Sequence, residues 1–117
     1  MSTPIEIARR YFDAWVARDY DALRSVLADD VSFRGPLGSA DDAESAMGGL
    51  LGMAEMTTHL EIRKMVADGP DVMTWFDLET KLAPSVPTVN WSHVEGDRIT
   101  RIRVAFDARE LAAAMGR

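Results

Sequence analysis

Residues 57–106 read TTHLEIRKMVADGPDVMTWFDLETKLAPSVPTVNWSHVEGDRITRIRVAF, and the fold turns on this stretch. Its apolar residues recur at every second position, the period of an extended strand whose side chains point alternately to two faces. Three clusters interrupt it: Asp68-Gly69-Pro70, Ala83-Pro84-Ser85 and Glu95-Gly96-Asp97. Each supplies glycine or proline where a strand must turn. The four strands left between them, 57–67, 71–82, 86–95 and 98–106, are joined too closely to be anything but antiparallel neighbours.

Upstream of Thr57 the apolar period lengthens to that of a helix. Thr3-Pro4-Ile5-Glu6 is a helix start, with Thr3 as N-cap, Pro4 at the first helical position and Glu6 closing a capping box. Ile5, Ala8, Phe12, Trp15 and Val16 then follow at three- and four-residue steps, which predicts a helix over 4–18 with one buried face. Asp19 caps a shorter helix over 20–28, and Val31-Ser32-Phe33 is a short strand. Gly35-Pro36-Leu37-Gly38 forms a loop, because proline removes a backbone donor and glycine permits irregular dihedrals.

Ala43, Ala46, Met47, Leu50 and Leu51 give a third helical stripe over 40–53, preceded by the capping signal Ser39 and Asp42. Gly48, Gly49 and Gly52 weaken this helix by up to about 1 kcal/mol each relative to alanine. Asp107 and Glu110 read as the capping box of a last helix over 107–115. Helices first and strands afterwards is an α+β order, with helices packed on one face of a curved, mainly antiparallel sheet. At 117 residues the chain is expected to form a single domain, 1–117, burying roughly two-thirds of its unfolded surface.

Composition removes several function classes. There is no cysteine, so disulfides, thiolate metal ligation and cysteine nucleophiles are excluded. A net charge of -6 argues against nucleic acid, which demands a concentrated basic surface; the one dense basic cluster is Arg98, Arg101 and Arg103, the pattern of a solvated strand face. No apolar run approaches the roughly 18 residues that span a bilayer. The start at Met1 lacks the basic and apolar segments of a signal peptide, so a soluble, cytoplasmic protein is expected.

Within 71–80 the alternation places Met73, Trp75, Asp77 and Glu79 on one face and Val72, Thr74, Phe76, Leu78 and Thr80 on the other. Large apolar groups occupy both, which suits a sheet covered on both sides, by helices within and by a second subunit without.

The chain resembles SnoaL-like proteins of the nuclear transport factor 2-like superfamily along its whole length. The resemblance is carried by Tyr11-Phe12-Asp13-Ala14-Trp15, Arg18-Asp19-Tyr20-Asp21-Ala22-Leu23, Leu27-Ala28-Asp29-Asp30-Val31-Ser32-Phe33, Gly35-Pro36-Leu37-Gly38 and the closing strand from Ile99 to Asp107. It implies a cone-shaped sheet with the N-terminal helices over its concave face, an apolar pocket within and a homodimer.

That superfamily includes several chemistries, and the resemblance tests each by residue type. Ketosteroid isomerases hold a general-base aspartate where this chain has Gly35; their oxyanion-hole tyrosine would fall near Trp15 and their protonated acid near Val89 or Asn90. Limonene-epoxide hydrolases resemble the chain at 74–77, where Asp77 matches an aspartate while Trp75 and Val104 replace the other two catalytic groups. Polyketide cyclases require one acid–base group and a shaped pocket, which Asp77 or a histidine supplies.

The resemblance therefore aims Trp75 and Asp77 inward, whereas simple patterning aims Val72, Thr74, Phe76 and Leu78 there. With the first orientation the expected catalytic groups are Asp77 and His93, and Trp15, Phe33, Met53, Trp75, Trp91 and Phe106 bind a hydrophobic, ring-shaped small molecule. The alternative is a non-catalytic binding or structural dimer in which Asp77 is a solvated or cross-strand-paired carboxylate. His59, His93 and Asp77 lack characteristic metal-ligand spacing, so neither metal nor cofactor is expected. Asp107 matches an aspartate common at this strand end in the family, and its capping position also accounts for it locally.

Overall fold

The computed structural model describes residues 2–116. Helix α1 (Pro4–Ala17) begins as its sequence dictates: Glu6 N donates to Thr3 Oγ1 at 3.2 Å, and Thr3 N donates to Glu6 Oε1 at 3.1 Å. Arg18, left-handed at φ 54°, ends it. Helix α2 (Tyr20–Ser25) is capped by Asp19, whose Oδ1 accepts from Ala22 N at 3.1 Å.

The expected extension of α2 to residue 28 does not form, because the sheet claims those backbone groups. Ile99 N donates to Val26 O at 2.7 Å, and strand β1 (Leu27–Gly35) starts at the next residue. The predicted short strand at 31–33 is thus the middle of a longer one. Gly35-Pro36-Leu37-Gly38 turns the chain into β2 (Gly38–Ala40), which pairs antiparallel with β1. Helix α3 (Ala43–Met56) starts three residues later than the stripe suggested, since Asp42 is the actual cap, accepting from Ser45 N at 2.7 Å.

Strands β3 (Thr57–Asp68), β4 (Asp71–Thr80), β5 (Val86–Glu95) and β6 (Arg98–Phe106) form the expected antiparallel meander. The chain finishes with α4 (Arg109–Ala114). Sheet order is β2-β1-β6-β5-β4-β3, and β1 runs parallel to β6, so the sheet is mixed. It is curved and open, with the N-terminal helices on its concave side.

The register settles which face is which. Inward rows run Met65–Thr74–Asn90–Val104 and Ile62–Phe76–Thr88–Phe106; outward rows run Val66–Met73–Trp91–Arg103 and Lys64–Trp75–Val89–Ala105. The concave side meets an aromatic ridge on α1. Phe12 lies 5.1 Å and Trp15 6.1 Å from Phe76, ring centre to ring centre, and both contacts are edge-on, the favoured geometry for aromatic pairs. The ridge consists of Ile7, Ala8, Tyr11, Phe12 and Trp15, all buried, rather than the predicted stripe with Ile5 and Val16; Val16 is exposed.

Phe76 therefore joins sheet to helix from a fully buried position. Phe76→Ala is expected to lower unfolding free energy by about 3–5 kcal/mol, the range for truncating a packed core aromatic, as read from urea denaturation.

Candidate functional site

Between the concave face of the sheet and helices α1 and α3 lies a cavity of about 450 Å³. Its floor and walls are mainly apolar: Trp15 from α1, Phe33 from β1, Met53 and Met56 from α3, Phe76 and Leu78 from β4, and Val104 and Phe106 from β6. Trp15 is fixed by its indole Nε1, which donates to Thr57 Oγ1 at 3.0 Å, while that hydroxyl donates to Met53 O at 2.7 Å. The wall is thus tied across the junction of α3 and β3.

Hydroxyl and amide side chains interrupt this lining at Tyr11, Ser39, Ser45, Thr88 and Asn90. Tyr11 projects from α1 and Asn90 from the inward row of β5; they are 0% and 1% exposed. Ser92 Oγ donates to Asn90 Oδ1 at 2.9 Å, which occupies the amide oxygen and orients the amide. Asn90 Nδ2 and Tyr11 Oη are left as buried polar atoms without a hydrogen-bond partner. Such groups are uncommon in a folded interior because each forfeits its hydration. Burial pushes the Tyr11 phenol well above its ordinary value; Asn90 is near enough to work against that shift, but the pair lacks hydrogen-bond geometry. Tyr11 therefore remains a protonated O–H, able to donate to a guest.

Of the residues expected at the pocket, Trp15, Phe33, Met53 and Phe106 line the cavity. Trp75, Trp91, Asp77 and His93 do not. They stand on the outward face, because the α1 ridge engages Phe76 and the two-residue strand period sends Trp75 and Asp77 the other way. Trp75 is 50% exposed. Asp77 Oδ2 accepts from Arg63 Nε at 2.8 Å, and Arg63 also reaches Glu61 at 2.7 Å, a cross-strand surface network. Patterning, not the resemblance, had the orientation right.

His93 Nδ1 and Trp91 Nε1 both bond Asp71 Oδ1, at 2.7 and 2.8 Å, and these contacts, His93 first, hold the Asp71 carboxyl below its usual range. The Arg101 guanidinium sits 5.9 Å over the Trp91 ring. His59 is largely exposed beside Glu61. No cluster of metal-ligating side chains occurs among the described residues. The N-cap position of α4 falls on Ala108, yet Asp107 Oδ1 accepts from Arg109 N at 3.1 Å at the helix start; the Arg109 guanidinium, at 2.6 Å, and this backbone bond lower the Asp107 carboxyl to about 2. Both residues border a second cavity, about 370 Å³, between α4 and the β4–β5 connection.

Sequence reasoning missed the role of Tyr11 and left Asn90 unresolved between two neighbouring positions. Tyr11 precedes Trp15 by four residues and so shares its helical face. Asn90 lies between Thr88 and Ser92 at strand spacing, a polar row whose inward aim becomes visible only once Phe76 is known to point inward.

A curved, open α+β sheet covered by N-terminal helices, with a mainly apolar cavity between the layers, defines the class of fold. Within that class the chain belongs to the SnoaL-like domain family, whose model matches residues 8–102. Among solved structures, a protein of unknown function with a cystatin-like fold from Xanthomonas campestris is 20% identical, with 99% of this chain and 100% of that one covered and a TM-score of 0.89. An LEH-like epoxide hydrolase of M. tuberculosis is 20% identical over 95% and 87% of the two chains, with a TM-score of 0.77. A candidate polyketide cyclase of Sinorhizobium meliloti is 18% identical over 86% and 94%, with a TM-score of 0.79. At these identities the likeness is one of fold. None of the curated proteins matches the chain.

Both tyrosines resist ionisation, Tyr11 through burial and Tyr20 chiefly through its hydrogen bond to Glu55. A phenol raised by folding keeps its stabilising contribution below its unfolded value near 10 and loses it as pH climbs through the folded one. In an alkaline absorbance titration the folded chain should show far less phenolate at about pH 10 than a urea-unfolded sample, and stability should decline above that pH.

Proposed function

We propose that this protein binds a mainly apolar small molecule bearing a carbonyl or similar acceptor, whose oxygen accepts hydrogen bonds from Tyr11 Oη and Asn90 Nδ2. The observation that carries this reading is the pair of unpartnered, buried polar atoms on two residues that line a mainly apolar cavity. A guest oxygen between them would recover the hydrogen bonds that folding left unmade, worth roughly 1–1.5 kcal/mol each. Its apolar remainder would gain about 0.8 kcal/mol per buried methylene from the lining.

The described residues around the cavity include no aspartate, glutamate, histidine, lysine or arginine. Binding is accordingly the primary reading. The same two donors also favour a second one, cyclase-like or isomerase-like chemistry, since they would stabilise charge developing on a carbonyl oxygen. Water or the substrate itself would then have to accept the proton.

The test uses 2-undecanone, an alkyl ketone, by calorimetry or Trp15 fluorescence. Wild type should bind it, and Tyr11→Phe and Asn90→Leu should each weaken binding by about tenfold while leaving the far-ultraviolet spectrum unchanged. Absence of binding to wild type, or equal binding by all three proteins, overturns the proposal.

A second copy of the chain is the proposed occupant of the outward face of the sheet. Val66, Met73 and Trp75 are 46%, 44% and 50% exposed there and adjoin Trp91 across the register. A contiguous apolar surface of this kind marks an interface, and opposed sheets can bury the roughly 1,200–2,000 Å² that a stable dimer requires. Among the described residues no helix is long and apolar enough to cross a membrane; the cysteine-free, acidic composition suits the cytoplasm. Light scattering at micromolar concentration should return twice the 12.9 kDa chain mass, and Trp75→Glu should return the mass of one chain. A wild-type mass of one chain refutes the dimer.

A further inference from the structure

The cavity lining differs in character from element to element. Tyr11 of α1 and Asn90 of β5 are its fully buried polar residues with unpartnered atoms. Along α3 the wall is instead glycine: Gly48, Gly49 and Gly52 all border the cavity with their backbone exposed.

Nothing within the fold calls for glycine at these positions. The glycines with positive φ among the described residues are Gly69, Gly96 and Gly116, so the α3 glycines adopt a conformation open to any residue. A Cβ added at Gly48, Gly49 or Gly52 would meet no atom within 4 Å, so no neighbour presses against them. Each weakens the helix relative to alanine, a cost set against no conformational or packing requirement within the chain. The open space beside them continues into a cavity whose lining includes the residues of two buried, unpartnered polar atoms. A body from outside the chain satisfies both observations at once.

We propose that the glycine face of α3 is the surface along which the far end of the ligand lies, so that Gly48, Gly49 and Gly52 set the length of ligand the cavity accepts. The ligand class is an elongated apolar molecule with its acceptor at one end, such as a long-chain alkyl ketone. Its oxygen sits at Tyr11 and Asn90 while its chain runs outward over α3. Met56 extends the same wall, and the β4–β5 connection is tied to it, since Lys81 N donates to Met56 O at 2.9 Å. This inference rests on the binding reading above and adds the residues that measure the ligand.

The experiment compares 2-heptanone with 2-undecanone in wild type, Gly49→Ala, Gly52→Ala and Gly52→Leu. In wild type, affinity should rise by about fourfold per added methylene between the two ketones. The alanine variants should melt at higher temperature, as their helix propensity requires, which shows that the fold is intact. Gly52→Leu should lower 2-undecanone affinity by at least about tenfold and leave 2-heptanone affinity unchanged, with Gly49→Ala and Gly52→Ala shifting it in the same direction by less. If 2-undecanone binds every glycine variant as it binds wild type while Tyr11→Phe still weakens it, the length-setting role is overturned and the binding site stands. If neither ketone binds wild type, or Tyr11→Phe has no effect on either, the binding reading itself has failed and this inference with it.

Discussion

The packing of the α1 aromatic ridge against Phe76 is the constraint from which the rest of the structure follows. Tyr11, Phe12 and Trp15 lie on one side of a helix, and Phe12 and Trp15 meet Phe76 edge-on at 5.1 and 6.1 Å. A strand has no intermediate orientation, so directing Phe76 inward fixes every other side chain of β4 and, through the register, those of β3, β5 and β6. The inward aim of Asn90 and the outward aim of Trp75, Asp77, Trp91 and His93 are consequences of that one contact.

The interior built in this way is unusual in being polar where it is deepest. Thr74, Thr88, Asn90 and Ser92 are each 1% exposed on adjacent strands of the concave face. Some of this polarity is met internally: Ser92 bonds Asn90, and Thr88 Oγ1 donates to Val86 O at 3.2 Å. What is left over, one phenol and half of one amide, belongs to two residues of the cavity lining. Leaving two donors unsatisfied costs stability, and recovering them through a guest is the physical basis of the proposed binding.

The outward face follows a different logic. Its ionic groups are partly exposed, Arg63 pairing with Asp77 across the strands and with Glu61 along β3, and pairs of this kind contribute little to stability because water screens them and both side chains lose freedom. The Asp71–His93–Trp91 group orders the polar end of that surface, while Met73 and Trp75 remain as exposed apolar area. The same strands thus present one face to the cavity and the other to solvent, with large apolar groups on both.

Much of the fold was legible from the chain alone, because it depends on local chemistry. The meander from Thr57 to Phe106 follows from two-residue alternation cut by glycine and proline, and α1 follows from Thr3, Pro4 and Glu6 acting on immediate neighbours. The inventory of Trp15, Phe33, Met53 and Phe106 likewise found four residues of the cavity wall. Tertiary structure decided what periodicity leaves degenerate. A period of two defines two faces without saying which is inner, and with large apolar groups on both, the helix ridge made the choice. Partners distant in sequence decided the rest: Ile99 drew Val26 and Leu27 out of a helix and into the sheet, and α1 brought Tyr11 to the same cavity as Asn90, 79 positions further along the numbering. Local propensity carries no information about such meetings, which exist only once the chain has closed on itself.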